Sequence, residues 1–366
     1  MVVNNLTLMQ YRNIENLNID FSHNLNIICG KNAQGKTNII ESIWLLTGYK
    51  SFRGGKDSDI IMFGKDIAKI KAQYQTSIRK IVSEITLSDK RRAYKNGVLL
   101  NSPSILVGEF PVTIFSPTHL SLIKDGPAER RKFLDISLCQ LSPSYREFVK
   151  KYRYALAQRN VLLKDLQYNS LLYDTLEIWE MQLALYGAKI IYKRLKYIDY
   201  LKKFSENVYN GICGGTEKFN IKYDFASCNE KSIKTEDEIR QLLINMLKNT
   251  RKNDIILKST GVGPHRDDLC IFINGKSART FGSQGQQRSA ALSLKLGETE
   301  VIKEITNESP LVLLDDVMSE LDYKRQDYIF NKIKDYQVII TTCELSGEIE
   351  KHEGKRFKIE NGGLIK

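Results

Sequence analysis

An apolar run, Asn26-Ile-Ile-Cys29, feeds directly into Gly30-Lys31-Asn32-Ala33-Gln34-Gly35-Lys36-Thr37, which fits the pattern G-x-x-x-x-G-K-T. The residues from Thr37 to Leu46 then carry helical spacing. Strand, glycine turn and helix in that order commit the chain to an α/β layer. Gly30 and Gly35 let the backbone curl until successive N–H groups face one point. The helix start adds the positive end of its dipole, and Lys36 adds a charge able to reach β- and γ-phosphates. The Thr37 hydroxyl is placed to ligate magnesium. The candidate nucleotide-binding residues are therefore Gly30, Lys31, Asn32, Ala33, Gln34, Gly35, Lys36, Thr37 and Asn38.

A second apolar strand, Leu311-Val-Leu-Leu-Asp315-Asp316, ends in two acids. A buried strand delivers its last carboxylates to the edge where α/β sheets bind ligands. Asp315 is expected to hold magnesium, and Asp316 to orient or deprotonate an attacking water; Asp316 and Lys36 are the catalytic candidates. Between these motifs lies Ser283-Gln284-Gly285-Gln286-Gln287-Arg288, just before a helix expected over Gln287–Ile305 and 27 residues ahead of Asp315. This segment resembles the ABC signature. In that superfamily the signature of one subunit covers the γ-phosphate held by another, so the resemblance implies an ATP-dependent homodimer. Ser319-Glu-Leu-Asp322 resembles the superfamily's D-loop, with Asp322 at the dimer interface.

The rest of the chain divides by pattern. Ala68–Tyr74 and Val82–Leu87 alternate with period two and predict antiparallel strands with one wet face, and Asn96-Gly97 predicts a hairpin turn. Short strands are also expected at Leu6–Met9 and Ile19–Phe21. From Ser144 to Leu166 and from Leu172 to Leu201 the apolar spacing is helical, which predicts an antiparallel helical hairpin across a link at Gln167–Leu171. Thr235-Glu-Asp-Glu238 predicts a capping box at the start of a third helix. Strands at Leu269–Ile273, Leu311–Leu314 and Val338–Thr342 alternate with helices near the C-terminus. The expected architecture is an α/β, ABC-type ATPase head built from both chain ends (1–120 and 259–366), with an inserted, mostly helical lobe over 121–258.

Thr37 and Ser283 are 246 residues apart, more than transporter ATPases place there and far fewer than the long coiled coils of chromosome-structure (SMC) ATPases require. The chain resembles the RecF family of recombination mediators from Leu6 to about Cys343. The resemblance rests on Leu6-Thr-Leu-Met-Gln-Tyr-Arg12-Asn13, Asp125-Gly-Pro-Ala-Glu-Arg130-Arg131-Lys-Phe-Leu-Asp135, Gly261-Val-Gly-Pro-His265-Arg266-Asp267-Asp268 and the signature itself. It adds Arg12 to the nucleotide-binding candidates. It implies ATP and Mg2+ as cofactors, binding at DNA gaps or single-strand/double-strand junctions, and cooperation with RecR and RecO in loading RecA. Three departures from the ABC pattern imply slow hydrolysis: Asp316 stands where glutamate is usual, Cys343 stands near the place of the switch histidine, and no Q-loop glutamine is evident near Phe115–His119. Ala33 stands where many such loops carry glycine, which is tolerable if its φ is negative.

The formal charge of +12 favours polyanionic partners. Half of that excess lies between Leu141 and Ser205, with twelve Lys and Arg against six acids. Lys150, Lys151, Arg153, Lys193, Arg194 and Lys196, with Arg159, Lys202 and Lys203, are candidates for DNA phosphate contacts, which carry affinity but no sequence reading. No recognition helix or zinc-finger pattern is present. Six scattered cysteines and no apolar run long enough to span a bilayer predict a cytoplasmic protein with its cysteines as small core residues and no membrane partner. His265, without a second ligand nearby, is expected to be structural or to touch phosphate. The alternatives are the ATPase subunit of a transporter or of a nuclease system.

Overall fold

The computed structural model describes residues 1–366 except 167, 169, 226–234, 345–347 and 366. The chain forms two compact units: Met1–Leu120 with Asn207–Thr216 and Ala291–Lys366, and Ser121–Glu206 with Glu217–Ala290.

The first unit holds two six-stranded sheets. One runs in the order Ile14–Asp20, Val2–Tyr11, Ala68–Gln75, Lys80–Leu87, Arg92–Lys95, Val98–Leu99, all antiparallel. Its alternation is the one read from the sequence: Ala68, Ile70, Ala72 and Tyr74 are buried and the lysines and glutamines between them face out. Asn96 and Gly97 close the hairpin at φ 50° and 81°, the primed-turn geometry that matches strand twist. The strand expected at Leu6–Met9 is part of a longer one, and that expected at Ile19–Phe21 belongs to one that ends at Asp20.

The other sheet runs Gly363–Ile365, Lys355–Glu360, Leu25–Cys29, Val338–Thr342, Leu311–Asp315, Val112–Phe115, parallel except at the C-terminal hairpin. Its central strands Val338–Thr342 and Leu311–Asp315 are buried along their whole length, as strands covered on both faces must be. Leu292, Leu296, Ile329, Phe330 and Ile333 from flanking helices join Ile27, Val312, Leu314 and Ile340 in one core. Parallel register puts Cys29 beside Thr342 and Thr341 beside Asp315. The phosphate loop and the acid pair therefore leave the sheet at the same edge.

The second unit contains the helices Pro127–Leu141, Pro143–Asp165 and Glu236–Leu257 and most of the 38-residue helix Leu176–Cys213, whose last turns are counted in the first unit. Thr235 and Glu238 make both bonds of the expected capping box. The helix expected from Leu172 starts only at Leu176, because Thr175 turns its hydroxyl back onto the Leu172 carbonyl at 2.6 Å and holds a tight turn there. Part of the Gln167–Leu171 link lies outside the described residues.

Three expectations need correction. The division placed at residue 258 does not coincide with the compact units: 259–290 pack with the second unit and 207–216 with the first. The second unit also carries, beside its helices, a three-stranded antiparallel sheet, Lys276–Ser277, Asp268–Ile273 and Phe219–Asp224. The alternation of Phe219, Ile221 and Tyr223 with exposed polar residues is period two and was the legible signal for its third strand. Nor are the cysteines core residues: Cys29, Cys139, Cys213, Cys270 and Cys343 are half-buried, each at an element end or a partly solvated face. Cys228 lies outside the described residues.

Candidate nucleotide site

Close approach of backbone requires Gly30, and a left-handed φ requires Gly35. A Cβ at Gly30 would stand 2.4 Å from the Ile359 carbonyl oxygen. Gly35, at φ 109°, begins the helix Lys36–Leu45, and a Cβ there would stand 2.9 Å from Asn13 Oδ1. Ala33 does not meet the condition of a negative φ: its φ is 65°. That conformation costs a non-glycine residue on the order of 1 kcal/mol. It persists because its neighbours are held: Asn13 donates to the Ala33 carbonyl at 3.3 Å, and the Gly362 N–H donates to the Gln34 carbonyl at 3.1 Å.

Lys36 is 7 % exposed and donates its ammonium to the carbonyls of Gly30 and Lys31, the latter at 2.9 Å. Cys343 donates its thiol to Asn32 Oδ1 at 2.8 Å and lies 3.7 Å from Lys36 Nζ, so the residue near the switch position touches the loop itself. Thr37 Oγ1 donates to Asp315 Oδ1 at 2.9 Å, and Thr341 Oγ1 donates to the same oxygen at 2.7 Å. Burial, aided by Asp316, raises the Asp315 pKa against the pull of these hydroxyls and of Arg53. A cation beside that carboxylate would relieve the cost of burying it. One hydroxyl and one carboxylate suit Mg2+, which keeps several waters and takes its remaining ligands from phosphate. Among the described residues no cluster of three or more His, Cys, Asp or Glu could form a metal cage.

Asp316 sits at φ 51°, held by its N–H to Thr341 Oγ1 at 3.0 Å, and receives the Ser319 hydroxyl on Oδ1 at 3.2 Å. It lines, with Lys36 and Thr37, a cleft of about 1100 Å³ that continues past Arg12 and Arg53 to the turn at Ile61–Asp66. Arg12 lies on that wall with its guanidinium forked onto Glu41 at 2.8 and 3.0 Å and a third bond to the Asp59 carbonyl at 2.8 Å. Fully buried Glu41 also accepts from Tyr11 and Ser51. Burial would raise its pKa, but the bonds from Arg12, Ser51 and Tyr11 outweigh it and hold the carboxyl below its ordinary value. Glu41 and Arg53, which donates to Asn38 Oδ1 at 2.8 Å, were not foreseen. The signal for Glu41 was present: a lone acid inside the apolar run Ile39-Ile40-Glu41-Ser42-Ile43. Nothing in the sequence marked Arg53, whereas the C-terminal turn carried in Asn361-Gly362 the same Asn-Gly signal as the hairpin at Asn96-Gly97.

The signature segment lies in the second unit. Its helix begins at Gln284, not Gln287, so Gln284, Gly285 and Gln286 form the first turn. Exposed Ser283 caps it: Ser283 Oγ accepts from Gln286 N at 3.2 Å, and Gln286 Oε1 accepts from Ser283 N at 2.8 Å. Gln286 Nε2 also donates to Glu217 at 2.6 Å. In the first unit, Asp322 caps the helix Tyr323–Ile333 by accepting from Arg325 N at 3.0 Å.

Of the basic candidates, Lys150, Lys151, Arg153, Lys193, Lys196 and Lys203 are at least partly exposed and Lys202 is half-buried. Arg153 is also 3.4 Å from Asp135. Arg194 is a correction. It is 3 % exposed and spends its guanidinium on Asp135, the Pro264 carbonyl, Tyr145 and Tyr223. Arg159 is likewise fully buried between Glu180, Asp254 and Thr260. Helical spacing alone could not separate these two from their exposed neighbours, because buried acids on other elements claim them. His265 is structural, bridging Tyr152 at 2.7 Å and the Thr260 carbonyl at 3.0 Å; burial drives its pKa down to about 4.

A strand–loop–helix phosphate nest with two acids at the end of the next strand but one in the same parallel sheet defines the P-loop class of nucleotide-binding folds. Residues 2–353 match the family model described as RecF/RecN/SMC N terminal domain. The chain belongs to the RecF family within that group, with the α/β, ABC-type ATPase fold and its helical insertion. It is 41 % identical over 365 residues to the DNA replication and repair protein RecF of Agathobacter rectalis, covering 98 % of this chain and 96 % of that one. It is 38 % identical over 369 residues to the protein of the same description from Clostridium perfringens, covering 100 % and 99 %. A solved structure described as the recombination mediator protein RecF-ATP in the RecFOR pathway superposes with a TM-score of 0.92 at 36 % identity, covering 100 % of this chain and 97 % of that one. An Smc head bound to the C-winged helix domain of ScpA shares the fold, with a TM-score of 0.60 at 14 % identity, covering 100 % and 96 %.

Proposed function

We propose that this protein is an ATP-dependent, DNA-binding ATPase of DNA replication and repair. Residues 30–38 hold the phosphates, Thr37 and Asp315 hold Mg2+, Lys36 neutralises charge at the γ-phosphate and Asp316 orients the attacking water. The bound cation supplies charge neutralisation and polarises the phosphoryl oxygens. Ser283–Gln286 of a second copy complete the site, so ATP closes a homodimer with Asp322 at its interface. Lys150, Lys151, Arg153, Lys193 and Lys196 contact duplex phosphates at a gap or junction. Hydrolysis is slow and serves release. RecR, RecO and RecA are the partners, through which the closed dimer helps load the recombinase.

The observation that carries this reading is the 2.9 Å contact of buried Asp315 with Thr37, which lines one cleft with Lys36 and Asp316. Similarity to a RecF solved with ATP supports the nucleotide, and similarity to RecF proteins of DNA replication and repair supports the role. Among the described residues no helix is long and apolar enough to cross a membrane. The test is retention of gapped duplex with and without ATP and Mg2+, for the wild type and for Lys150→Glu/Lys151→Glu. The expected result is ATP-dependent retention that weakens with salt and is lost in the double variant. Retention indifferent to nucleotide would refute the proposal.

A further inference from the structure

The strand Lys355–Glu360 runs beside Leu25–Cys29, the strand that feeds the phosphate loop, and pairs with Gly363–Ile365. The turn between the last two strands puts Asn361 and Gly362 at φ 49° and 76°. From there it grips the loop. The Asn361 N–H donates to Gln34 Oε1, and the Gly362 N–H donates to the Gln34 carbonyl at 3.1 Å. The fit is close: a Cβ on Gly362 would lie 2.3 Å from the Asn13 carbonyl oxygen. Asn13 closes the ring by donating to the Ala33 carbonyl and accepting from Asn38 Nδ2.

These contacts bracket Ala33, the non-glycine residue held at φ 65°. Released, such a residue relaxes toward negative φ, and the adjoining N–H groups turn away from their common point. A phosphate nest works only while those N–H groups converge. Neither Asn361 nor Gly362 lines the cleft, so they act through Gln34.

We propose that the Asn361–Gly362 turn is a positioning element of the phosphate loop, setting its affinity for nucleotide by holding Gln34 at both backbone and side chain. This rests on residues 30–37 being the nucleotide site. The test measures ATP affinity, with Mg2+, in the full chain for Gly362→Ala, Gln34→Met and their double variant, with Asn361→Gly as control because it keeps the N–H and the turn. Each single variant should bind ATP about tenfold more weakly, which is about 1.4 kcal/mol, and the double no worse than the weaker single. The control should stay within about twofold of the wild type, as expected when backbone and N–H are preserved. Hydrogen exchange at residues 31–36 should quicken in Gln34→Met while the rest of the first unit is unchanged, a reading that does not depend on Gly362→Ala folding. Multiplying losses in the double variant would overturn the proposal, as would unchanged exchange in the loop. So would a loss of affinity matched by a loss of unliganded stability. A wild type that does not bind ATP would instead sink the site reading itself.

Discussion

The phosphate loop and the signature segment each lead into the start of a helix, yet they are finished to different degrees. The loop is held from outside its own helix by Asn13, Asn361, Gly362 and Cys343, with its lysine buried and a carboxylate set against its threonine. The signature is a serine capping its own first turn, with a side tie from Gln286 to Glu217. A preorganised nest can bind nucleotide within one chain, whereas a bare capped helix start contributes when something is brought to it. Changes in the loop should therefore act on nucleotide binding, and changes in the signature on dimer closure and hydrolysis.

The largest expected effect is at Lys36. Lys36→Met removes a charge-assisted contact to phosphate and should weaken ATP binding by roughly a hundredfold, about 2.7 kcal/mol; calorimetric titration would show it. Asp316→Asn should leave that affinity nearly intact while slowing hydrolysis by on the order of 10²-fold or more. Single-turnover kinetics separates the two, and equal loss of both would erase the distinction between binding and chemical groups in the loop region.

Two buried groups of the second unit should make its folding respond to pH in opposite senses. In the second unit burial pushes Asp267 up to about 7 from its ordinary 3.8, against the pull of Arg194 and Tyr223. Between those values the folded form keeps a proton that the unfolded chain has released, so stability falls as pH rises through that window. His265 works the other way: its pKa is about 4 in the fold against an ordinary 6.5, so stability is lost as pH falls between them. The two slopes oppose one another from pH 4 to 6.5. Asp267→Asn removes the first, and its melting temperature should then climb with pH across that range more steeply than the wild type's. A parallel pair of melting curves would contradict the assignment.

The smallest effect is expected at Ala33. Ala33→Gly relieves its positive φ but gives the unfolded chain more freedom, for a net gain of no more than about 1 kcal/mol in denaturant melts.

Much of this was legible in the sequence, for identifiable reasons. Gly30 to Thr37, Asp315 and Ser283 announce themselves because their chemistry requires fixed spacing along one strand or one helix start. The period-two pattern of Ala68–Gln75 and the capping box at Thr235 are equally local. What stayed hidden was settled by residues far apart in sequence. Arg194 reads as one more surface cation until Asp135 and Tyr223 are seen to enclose it. The sign of Ala33's φ depends on a loop gripped by residues more than three hundred positions away. The strand Phe219–Asp224 was masked by the helices around it, although its alternation was plain.

The most direct test of the central claim is the mass of the protein in solution with ATP and Mg2+, measured together with nucleotide occupancy, for the wild type and Ser283→Arg. The account predicts that both bind ATP and that only the wild type doubles its mass. A Ser283→Arg protein that dimerises normally, or a wild type that fills with ATP and remains monomeric, would contradict it.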